Sequence, residues 1–598
     1  MPARATRAPL GTRALGPSRI RAVLSPDLRS RVAPWCWGLL LALLAYAPAL
    51  YEWDASGWGD WQQFHHWWEV GRVAITRFGE WPLWDPNHCG GVSMWGQPQA
   101  QMFAPTWWMT GLAFGTVHGH KLFILFHHVV GFAGMMLVAR RVFGLSGPAA
   151  ALTALAWAFS GYFAWRGSGG HSTFLAFHYL PWIYFCWRRA HDDLRYAAGV
   201  GALMGLVLFE GGTYPFPLTF LVLLFDSFAI LIERPRAFGR VVRTALVSGA
   251  LTLMIGAARL WPIYLTMSRF PRATELDDTQ TILNVLEGLT AREPHPWQWG
   301  HRWVWAEYGS FVGRAVIALA GYGVFLALTK RRHVHLVLGA LLFLWCAMGG
   351  TEDHWPWPFL HRFPVFSNLH VPSRFHVLLT FYLTPIAGLA IERALRFMRG
   401  TMTTPGAQRG IAVLAWALVA AVGLDILSND ARIAARWDGG TLVERAEERF
   451  HLVGPHRYLE RYATYPSMNV GTASCYDPVP WPISDHLWVG DVEQVRFAPR
   501  DGGALVDFER TNHRARAEVR LSAPARVIFN QNFDPDWRTS VGTPVDDQGR
   551  LAVDLPAGDH VIEASYQPAD LPWSLLTTLL GLLLALALAL RRRARARA

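Results

Sequence analysis

The chain has 598 residues, of which 52% are hydrophobic and only 17% are charged. A soluble globular protein usually carries about 25% charged residues, so the composition excludes an ordinary soluble domain and indicates a protein that lies largely in lipid. The 30 tryptophans agree with this, because indole collects at membrane–water interfaces. The net charge of +11 does not indicate nucleic-acid binding, because the basic residues form short clusters between apolar runs.

The N-terminal segment, residues 1–33, is rich in arginine, proline and alanine and is predicted to be cytoplasmic. It precedes an apolar run over 34–50 that begins the membrane domain. Ala45-Tyr46-Ala47 has the small-x-small form of a signal-peptide cleavage site, but Pro48 follows directly and the basic region is unusually long. We therefore predict a retained signal anchor.

Apolar stretches predict about twelve spanning helices. The predicted fold is an all-α polytopic membrane domain over 34–427, with a last span near the C-terminus. The stretches are 35–51, 120–138, 148–165, 172–187, 196–210, 214–232, 241–262, 311–329, 333–349, 374–394, 410–427 and 571–590.

The basic clusters predict one orientation for all of these spans. With the N-terminus inside, every cluster falls on the cytoplasmic side, as the positive-inside rule requires. The condition is that the apolar piece 105–117, which is too short to span, is re-entrant or interfacial. The clusters are Arg140-Arg141, Arg188-Arg189-Arg195, Arg234-Arg236-Arg240-Arg243, Lys330-Arg331-Arg332, Arg393-Arg396-Arg399-Arg409 and Arg591-Arg592-Arg593.

This orientation leaves the basic tail 591–598 in the cytoplasm and places four segments outside. Because long polar loops are where a scaffold carries its sites, function is predicted to face outward. The outer segments are the loops 52–118, 263–310 and 350–373 and the region 428–570.

The outer region 428–570 divides near residue 500. From Ala515 onward, short runs of alternating apolar and charged residues are separated by turns such as Asp546-Asp547-Gln548-Gly549. This pattern predicts a small antiparallel β-sandwich. Before it, 440–452 is predicted to be helical and 465–490 irregular.

The five cysteines show no metal-ligand spacing. Only Cys89 and Cys475 fall in outer segments, where a disulfide can persist. Whether they pair cannot be read from the sequence.

The first outer loop holds the strongest candidate for chemistry. Asp60 follows the first span closely, so it is expected at the interface, where partial desolvation would raise its pKa toward that of a general base. A solvated loop aspartate is the alternative. Asp54 and Asp85 are second-rank candidates, and His65-His66 with the neighbouring tryptophans predict one face of an interfacial helix.

A series of short motifs along most of the chain carries a family resemblance. After an acidic residue and an amphipathic stretch in the first outer loop comes a Gly-x-x-Pro-Leu-Trp-x-Pro turn followed by glycines. The later motifs are Arg166 with Gly170-His171, Glu307-Tyr308-Gly309, Pro372-Ser373-Arg374-Phe375, Phe533-Asp534-Pro535-Asp536-Trp537 and Leu555-Pro556-Ala557-Gly558-Asp559-His560. By their order and topology the chain resembles the YfhO family of bacterial membrane proteins. That family is similar in architecture to the GT-C glycosyltransferases, which use polyprenyl-phosphate sugars as donors.

The resemblance implies a glycosyltransferase of EC class 2.4 in the bacterial inner membrane, with both termini cytoplasmic. Asp60 would be the base that deprotonates an acceptor hydroxyl. The leaving phosphate would need cationic or N–H donors, for which the outer-end residues Arg166, Arg259, Arg374 and His171 are candidates. Snorkelling of the arginines to headgroups and an interfacial structural histidine are the alternatives.

Two further outer carboxylates, Glu210 and Glu307, are candidates for binding the sugar or the acceptor. No dedicated metal signature stands beside these carboxylates, so no cofactor is predicted with certainty and a divalent cation remains open. The implied partners are the polyprenyl-phosphate sugar, a cell-envelope glycan, lipid or protein acceptor, and membrane lipids, without nucleic acid.

Two other classes of function remain open. A glycolipid transporter or flippase would usually show internal repeats and polar midplane residues, and neither pattern is clear in this chain. A non-catalytic scaffold for envelope assembly would leave Asp60 dispensable.

Overall fold

The computed structural model describes residues 26–591 except 58, 273, 275, 277, 296–301, 330–332, 351, 353, 438–448 and 455–461. The described chain is helical up to Ala434 and rich in β-strand afterwards. The α-helices are α1 (Pro26–Ala45), α2 (Ala47–Tyr51), α3 (Trp61–Phe78), α4 (Pro105–Trp107), α5 (Thr116–Arg141), α6 (Gly147–Ala158), α7 (Gly161–Ser168), α8 (Leu180–Ala190), α9 (Tyr196–Phe209), α10 (Pro215–Glu233), α11 (Phe238–Ile255), α12 (Ala257–Arg269), α13 (Ile282–Thr290), α14 (Trp305–Tyr308), α15 (Arg314–Leu328), α16 (Val334–Ala347), α17 (Pro356–His361), α18 (His376–Thr401), α19 (Pro405–Ala434), α20 (Tyr465–Met468) and α21 (Leu571–Leu590).

Six helices in the described part of the chain are long and apolar enough to cross a membrane. They are α5, α10, α11 with the turn before it, α18 with the turn before it, α19 and α21. Four shorter apolar helices, α1, α9, α15 and α16, accompany them. The chain therefore has the several apolar helices of a multi-span membrane protein, and the predicted number of about twelve spans stays a prediction.

Several of the predicted spans are interrupted, and two of the interruptions lie in 148–165 and 172–187. The stretch 148–165 breaks between α6 and α7, where the Gly161 N–H donates to the Phe311 carbonyl at 2.8 Å. The stretch 172–187 begins as a 3-10 helix, Ser172–Tyr179, before α8. Both interruptions are buried, and irregular backbone is tolerated at membrane depth where protein rather than lipid surrounds it.

Two contacts between loops can be compared with the membrane face that the basic clusters predict for each loop. Arg292, from a loop predicted to be outer, donates to Asp425 Oδ1 at 2.6 Å, near the predicted outer end of another span. Glu392, predicted to lie near the inner face, accepts the Ser146 N–H at 2.7 Å. Residues assigned to one face thus contact residues assigned to the same face, which agrees with the predicted alternation of the spans.

The first loop is covered by protein rather than lying at the membrane surface. Trp61, Trp67 and Trp68 of α3 are buried in protein, so these side chains do not form the exposed face that an interfacial helix would turn to lipid. The Trp61 ring packs against His120 of α5 and against Trp437, with ring centroids 4.7 and 5.0 Å apart. The apolar piece 105–117 forms only α4 and a short π-helical turn, Trp108–Leu112, before α5.

The C-terminal region holds two four-stranded antiparallel sheets, ordered β10-β11-β8-β5 and β6-β7-β12-β9. Their alternating apolar residues, such as Val519, Phe529, Leu551 and Ile562, form one buried core, as the predicted sandwich requires. The strands are β1 (Trp84–Asp85), β2 (Val92–Ser93), β3 (His451–Val453), β4 (Val470–Thr472), β5 (Val495–Ala498), β6 (Gly503–Arg510), β7 (Arg514–Leu521), β8 (Ala525–Asn532), β9 (Trp537–Thr539), β10 (Pro544–Asp547), β11 (Arg550–Leu555) and β12 (Gly558–Tyr566).

The segment before the sheets differs in part from its prediction. The predicted helix 440–452 lies mostly outside the described residues, and its last residues belong to β3. There β3 pairs in parallel with β4, with Leu452 opposite Gly471. The Leu452 side chain is buried.

The sheets dock directly on the first outer loop. The Asn532 side chain donates to the carbonyls of Cys89 and Gly91 at 2.6 and 3.0 Å. Trp84 of the loop packs against Trp537, with ring centroids 5.1 Å apart. The C-terminal region and the loop that carries Asp60 therefore form one packed unit.

Candidate active site

Asp60 is held by two hydrogen bonds, one to each carboxylate oxygen. Its Oδ2 accepts from His171 Nε2 at 2.7 Å, and its Oδ1 accepts from the Tyr476 hydroxyl at 3.0 Å. Asp60 stands at the N-cap of α3, but its side chain does not cap the helix. The carboxylate is thus turned away from the helix and toward the neighbouring loops.

Arg166, which contacts the other ring nitrogen of His171, fixes the tautomer of this histidine. Arg166 Nη1 lies 2.9 Å from His171 Nδ1. A guanidinium can only donate, so Nδ1 accepts and Nε2 carries the proton that His171 donates to Asp60. His171 therefore serves Asp60 as an N–H donor.

Glu307 accepts from two arginines. Arg374 donates to both of its carboxylate oxygens, at 2.7 and 3.1 Å. Arg166 Nη2 lies 2.7 Å from Glu307 Oε2 and also donates to the Glu307 backbone carbonyl at 3.2 Å. All three side chains are at most 7% exposed, so the two cations and the carboxylate form a buried ion cluster.

A glycine-rich turn brings Asp60 and His171 together. The Asp60 N–H donates to the Gly169 carbonyl at 3.1 Å, and the Trp61 indole donates to the Ser168 carbonyl at 2.9 Å. Gly170 has a φ of +88°, and a Cβ on it would lie 2.3 Å from the Trp61 nitrogen. Only glycine fits this left-handed position and this close backbone approach.

The pKa of Asp60 is shifted in the opposite direction to the one expected from the sequence. Burial raises the pKa of Asp60, but the hydrogen bond and electrostatic attraction of His171, together with the hydrogen bond from Tyr476, outweigh it, so the pKa of this carboxyl lies below its usual value. Burial likewise opposes ionisation of Glu307, yet Arg166 and Arg374 hold the pKa of that carboxyl well below its usual range. The expected raised pKa of Asp60 is wrong because two donors solvate the ionised form.

An apolar cavity of about 610 Å³ opens beside this cluster. Its walls come mainly from the ends of α9, α10, α11, α12 and α21, and several lining side chains, such as Leu253 and Tyr264, are exposed on the face of the helices. Tyr214 also lines the cavity, and the Arg374 guanidinium lies 4.4 Å from the centre of its ring. The cavity therefore reaches the wall of the ion cluster.

One cation faces the polar end of this cavity. Arg272 lines it, and among the described residues no carboxylate forms an ion pair with its guanidinium. Arg272 interacts electrostatically with Tyr476 and Arg374, and burial lowers its pKa. The nearby Asp477 neutralises it only in part, because burial raises the pKa of Asp477 to about 7.

Arg272, Tyr476 and Tyr214 were not predicted from the sequence. Arg272 lies three residues beyond the end of α12, at the predicted outer face. This is the same signal that singled out Arg166 and Arg374. Tyr476 carries no sequence signal, since it lies 416 residues from Asp60.

Two candidates for ligand binding lie elsewhere. Arg259 is fully buried and donates to the carbonyls of Trp95 and Gln97 at 2.8 and 2.5 Å. Glu210 is also fully buried and accepts from Thr106 and Tyr179, each at 2.7 Å. Both groups are used within the protein, so we leave them out of the proposed site.

The second-rank aspartates also lie apart from the Asp60 cluster. Asp54 is 73% exposed and pairs with His118 at 2.8 Å, as a solvated loop aspartate would. Asp85 is fully buried, and its Oδ2 lies 2.7 Å from His66 Nε2.

Asp85 belongs to a group with metal-ligand chemistry. Ligand atoms of His66, Asp85 and His88 lie within 4.8 Å of one another, and two imidazoles with a carboxylate suit zinc or a similar cation. The His66 ring bonds the Tyr462 carbonyl at 2.9 Å, as metal-binding histidines often do with their second nitrogen. Next to this group, Cys89 and Cys475 form a disulfide, which the sequence left open.

No protein-family model and no curated protein matches this chain. Among solved structures it is similar to ArnT from Cupriavidus metallidurans bound to undecaprenyl phosphate, at 13% identity and a TM-score of 0.46, over 73% of this chain and 85% of ArnT. It is also similar to the arabinofuranosyltransferase AftD from Mycobacteria, at 14% identity and a TM-score of 0.47, over 92% of this chain and 40% of AftD. A third similar structure is the oligosaccharyltransferase AglB from Archaeoglobus fulgidus with an inhibitory peptide and a dolichol-phosphate, at 11% identity and a TM-score of 0.43, over 76% of this chain and 65% of AglB.

These neighbours are membrane glycosyltransferases. Their TM-scores lie below 0.5, so the function proposed below is drawn from this chain's own residues. Membership of the YfhO family stays a prediction.

Proposed function

We propose that this protein is a membrane glycosyltransferase that moves a sugar from a polyprenyl-phosphate donor to an extracytoplasmic cell-envelope acceptor. The observation that carries this proposal is the position of Asp60. Its ionised carboxylate is fixed by His171 and Tyr476 and remains 27% exposed. Tyr476, one of its two donors, interacts electrostatically with Arg272, which lines the apolar cavity.

In the proposed reaction, Asp60 acts as the general base. The oxygen of an acceptor hydroxyl forms a bond to the anomeric carbon of the donor sugar, and the bond from that carbon to the phosphate oxygen breaks. The phosphate leaves with the electron pair, and Asp60 takes the hydroxyl proton. The low pKa of Asp60 keeps it ionised at neutral pH, so it is ready to accept that proton.

The donor fits the chemistry of the cavity in two parts. A polyprenyl chain is apolar, and it would lie against the apolar walls formed by the helix ends. The phosphate would lie at Arg272, where an anion would pair with a partly buried cation that forms no ion pair with a carboxylate of the described residues. Arg374, behind the Tyr214 ring, adds positive potential on the same side.

Arg166, Arg374 and Glu307 then have supporting roles. Because both guanidinium groups are bonded to Glu307, we assign them to holding His171 and shaping the potential rather than to direct phosphate contact. Glu307 is proposed as their counter-ion rather than as a sugar ligand, since both of its oxygens are already paired.

The decisive experiment replaces Asp60 by Asn in the full chain, with Asp54→Asn as the matched control. Radiolabelled undecaprenyl-phosphate sugars, one hexose and one pentose, are supplied to membrane vesicles, and label transferred to the envelope fraction is counted. We expect Asp60→Asn to lower transfer at least about 100-fold, since general-base catalysis is worth about 10²–10⁴. Full activity in Asp60→Asn, or loss in Asp54→Asn instead, would remove Asp60 from the reaction.

Donor binding is tested separately with undecaprenyl phosphate alone. Its affinity for the purified protein, measured by native mass spectrometry, should fall about 10-fold in Arg272→Ala, because one charge-assisted contact is worth about 1.5–3 kcal/mol. Arg269→Ala is the control. Arg269 is the last residue of α12, three positions before Arg272, and its side chain is 46% exposed. Equal affinities in the two variants would contradict the phosphate assignment.

A further inference from the structure

A short segment of the C-terminal region lies across the Asp60 site. This strap, Thr472–Pro478, leaves β4 and runs against the first outer loop. At its start the Gly90 N–H donates to the Thr472 carbonyl at 2.8 Å. At its end Asp477 accepts from the Gln97 side chain at 2.7 and 2.9 Å. The strap is thus fastened to the first loop at both ends.

Tyr476 in the middle of the strap is held by its backbone as well as by its side chain. Its carbonyl accepts from the Gln63 side chain at 2.7 Å, and its N–H donates to His88 Nε2 at 3.2 Å. Its ring is 44% exposed, so burial alone does not fix it. The contacts of the backbone are what bring the hydroxyl to Asp60.

A disulfide bond attaches the strap at Cys475, the residue before Tyr476. Cys475 is bonded to Cys89, and the bond joins positions 386 residues apart. Cys89 precedes Gly90 and Gly91, whose close packing on Asn532 and Trp84 leaves that part of the loop little freedom. A disulfide on such a loop holds the neighbouring Tyr476 in place against it.

The strap also meets the proposed donor site. Pro478 lines the apolar cavity, and Asp477 and Tyr476 both interact electrostatically with Arg272. One segment of seven residues therefore connects the carboxylate of Asp60 with the cation at the mouth of the cavity.

We propose that the strap completes the active site, with Tyr476 as the residue that positions Asp60 and the Cys89–Cys475 disulfide as the bond that holds Tyr476 there. This inference rests on the proposed function and extends it, because transfer then requires the oxidised protein. Tyr476 donates to the carboxylate oxygen that His171 leaves open, so it sets the direction in which that oxygen faces an acceptor hydroxyl. An extracytoplasmic position supplies the oxidising surroundings that the disulfide needs.

The first test compares Tyr476→Phe with the control Tyr51→Phe, whose ring is 87% exposed at the end of α2. Tyr476→Phe keeps the ring and removes the donor to Asp60. We expect kcat to fall about 10-fold with the KM for the donor unchanged, and the acid limb of the pH profile to move to higher pH, because the hydrogen bond lowers the pKa of Asp60. An unchanged kcat and pH profile in Tyr476→Phe would overturn the proposal.

The second test asks whether the disulfide acts through Tyr476. The Cys89→Ser, Cys475→Ser pair should lower kcat at least as much as Tyr476→Phe does. When all three changes are combined, the disulfide changes should add little further loss, since both act on one interaction. If instead the loss of kcat in the triple variant equals the product of the two separate losses, and the pH profile of the serine pair is unchanged, the disulfide contributes to stability alone. Cys346→Ser is the control for cysteine replacement.

A third measurement does not depend on transfer. Asp60 is labelled with a water-soluble carbodiimide and glycine ethyl ester in the full-length protein, and the modified peptide is quantified by mass spectrometry. Reduction or the serine pair should raise the labelling of Asp60 several-fold, and the labelling of Asp54 should stay the same. Unchanged labelling overturns the strap even if Asp60→Asn is inactive, whereas increased labelling with an active Asp60→Asn variant overturns the catalytic role alone.

Discussion

Glu307 shows how much of this site depends on single residues. Its carboxylate is the common partner of Arg166 and Arg374, both of them buried. Arg166 in turn fixes the tautomer of the histidine that donates to Asp60. One buried carboxylate thus pairs with two cations and, through Arg166, supports the hydrogen bonding of the proposed base.

We predict that Glu307→Gln destabilises the protein strongly. The variant keeps the shape of the side chain but removes the carboxylate that pairs with both guanidinium groups. Breaking a buried pair costs about 3–5 kcal/mol. The measurement is thermal unfolding of the purified protein in detergent. The control is Glu293→Gln, whose carboxylate is 50% exposed and pairs with Arg432 and Arg436; there we expect a change of about 0–1 kcal/mol. Similar unfolding of both variants would contradict the assignment of a buried cluster.

Individual site residues could be found from the sequence only in part. Asp60, Arg166, His171, Glu307 and Arg374 were singled out by outer position or by the resemblance. Their pairing was not, because guanidinium and carboxylate groups on separate outer loops can equally face water, lipid headgroups or one another. Arg166 and Arg374 were expected to bind a phosphate, but in the structure both pair with Glu307.

At the level of elements, the turn between α7 and the 3-10 helix that follows it places the proposed base. Ser168 and Gly169 offer carbonyls to the start of α3, and Gly170 permits the two backbones to touch. The turn therefore sets the distance between α3, which carries Asp60, and the segment that carries His171.

We predict that Gly170→Ala lowers kcat about 100-fold without preventing membrane insertion. The added Cβ meets the backbone of Asp60 and Trp61, so the turn must move away from α3, and a displacement of about 1 Å in a catalytic group can cost that much. Transfer is assayed in vesicles at equal protein level. Gly400→Ala in α18 is the control, since a Cβ there meets no atom within 4 Å. Wild-type activity in Gly170→Ala would show that the contact tolerates a side chain.

The sequence predicted regular spans better than interrupted ones. Hydropathy located α5, α10, α19 and α21 because helices that span a membrane need long apolar runs. It could not find the breaks at 159–160 and at 256, where buried loops or other helices take over the contacts. It likewise placed the C-terminal strands through their alternation but missed β3, which is too short to show a period.

At the scale of the whole molecule, the loops assigned to one face by their charge also contact one another. The ion cluster joins 166, 307 and 374, and the strap joins the C-terminal region to the first loop. The proposed site exists only if all of these segments share one side of the membrane.

We predict that this side is the extracytoplasmic one. Single cysteines introduced at Asp559, which is 74% exposed in the β-rich region, should react with a membrane-impermeant maleimide in intact cells. Cysteines at the exposed position Gly406 should react only after the membrane is permeabilised. The reverse pattern would place the site in the cytoplasm and remove the basis for a lipid-linked sugar donor outside.

Helix α21 has a consequence for biogenesis. Trp573 forms part of the wall of the apolar cavity, and the Thr578 hydroxyl accepts the Ala258 N–H at 3.0 Å. Since α21 is made after α9, α10, α11 and α12, the wall that Trp573 supplies is added only after those helices have been synthesised. The cavity is therefore completed late, by a helix that follows the whole β-rich region in the chain.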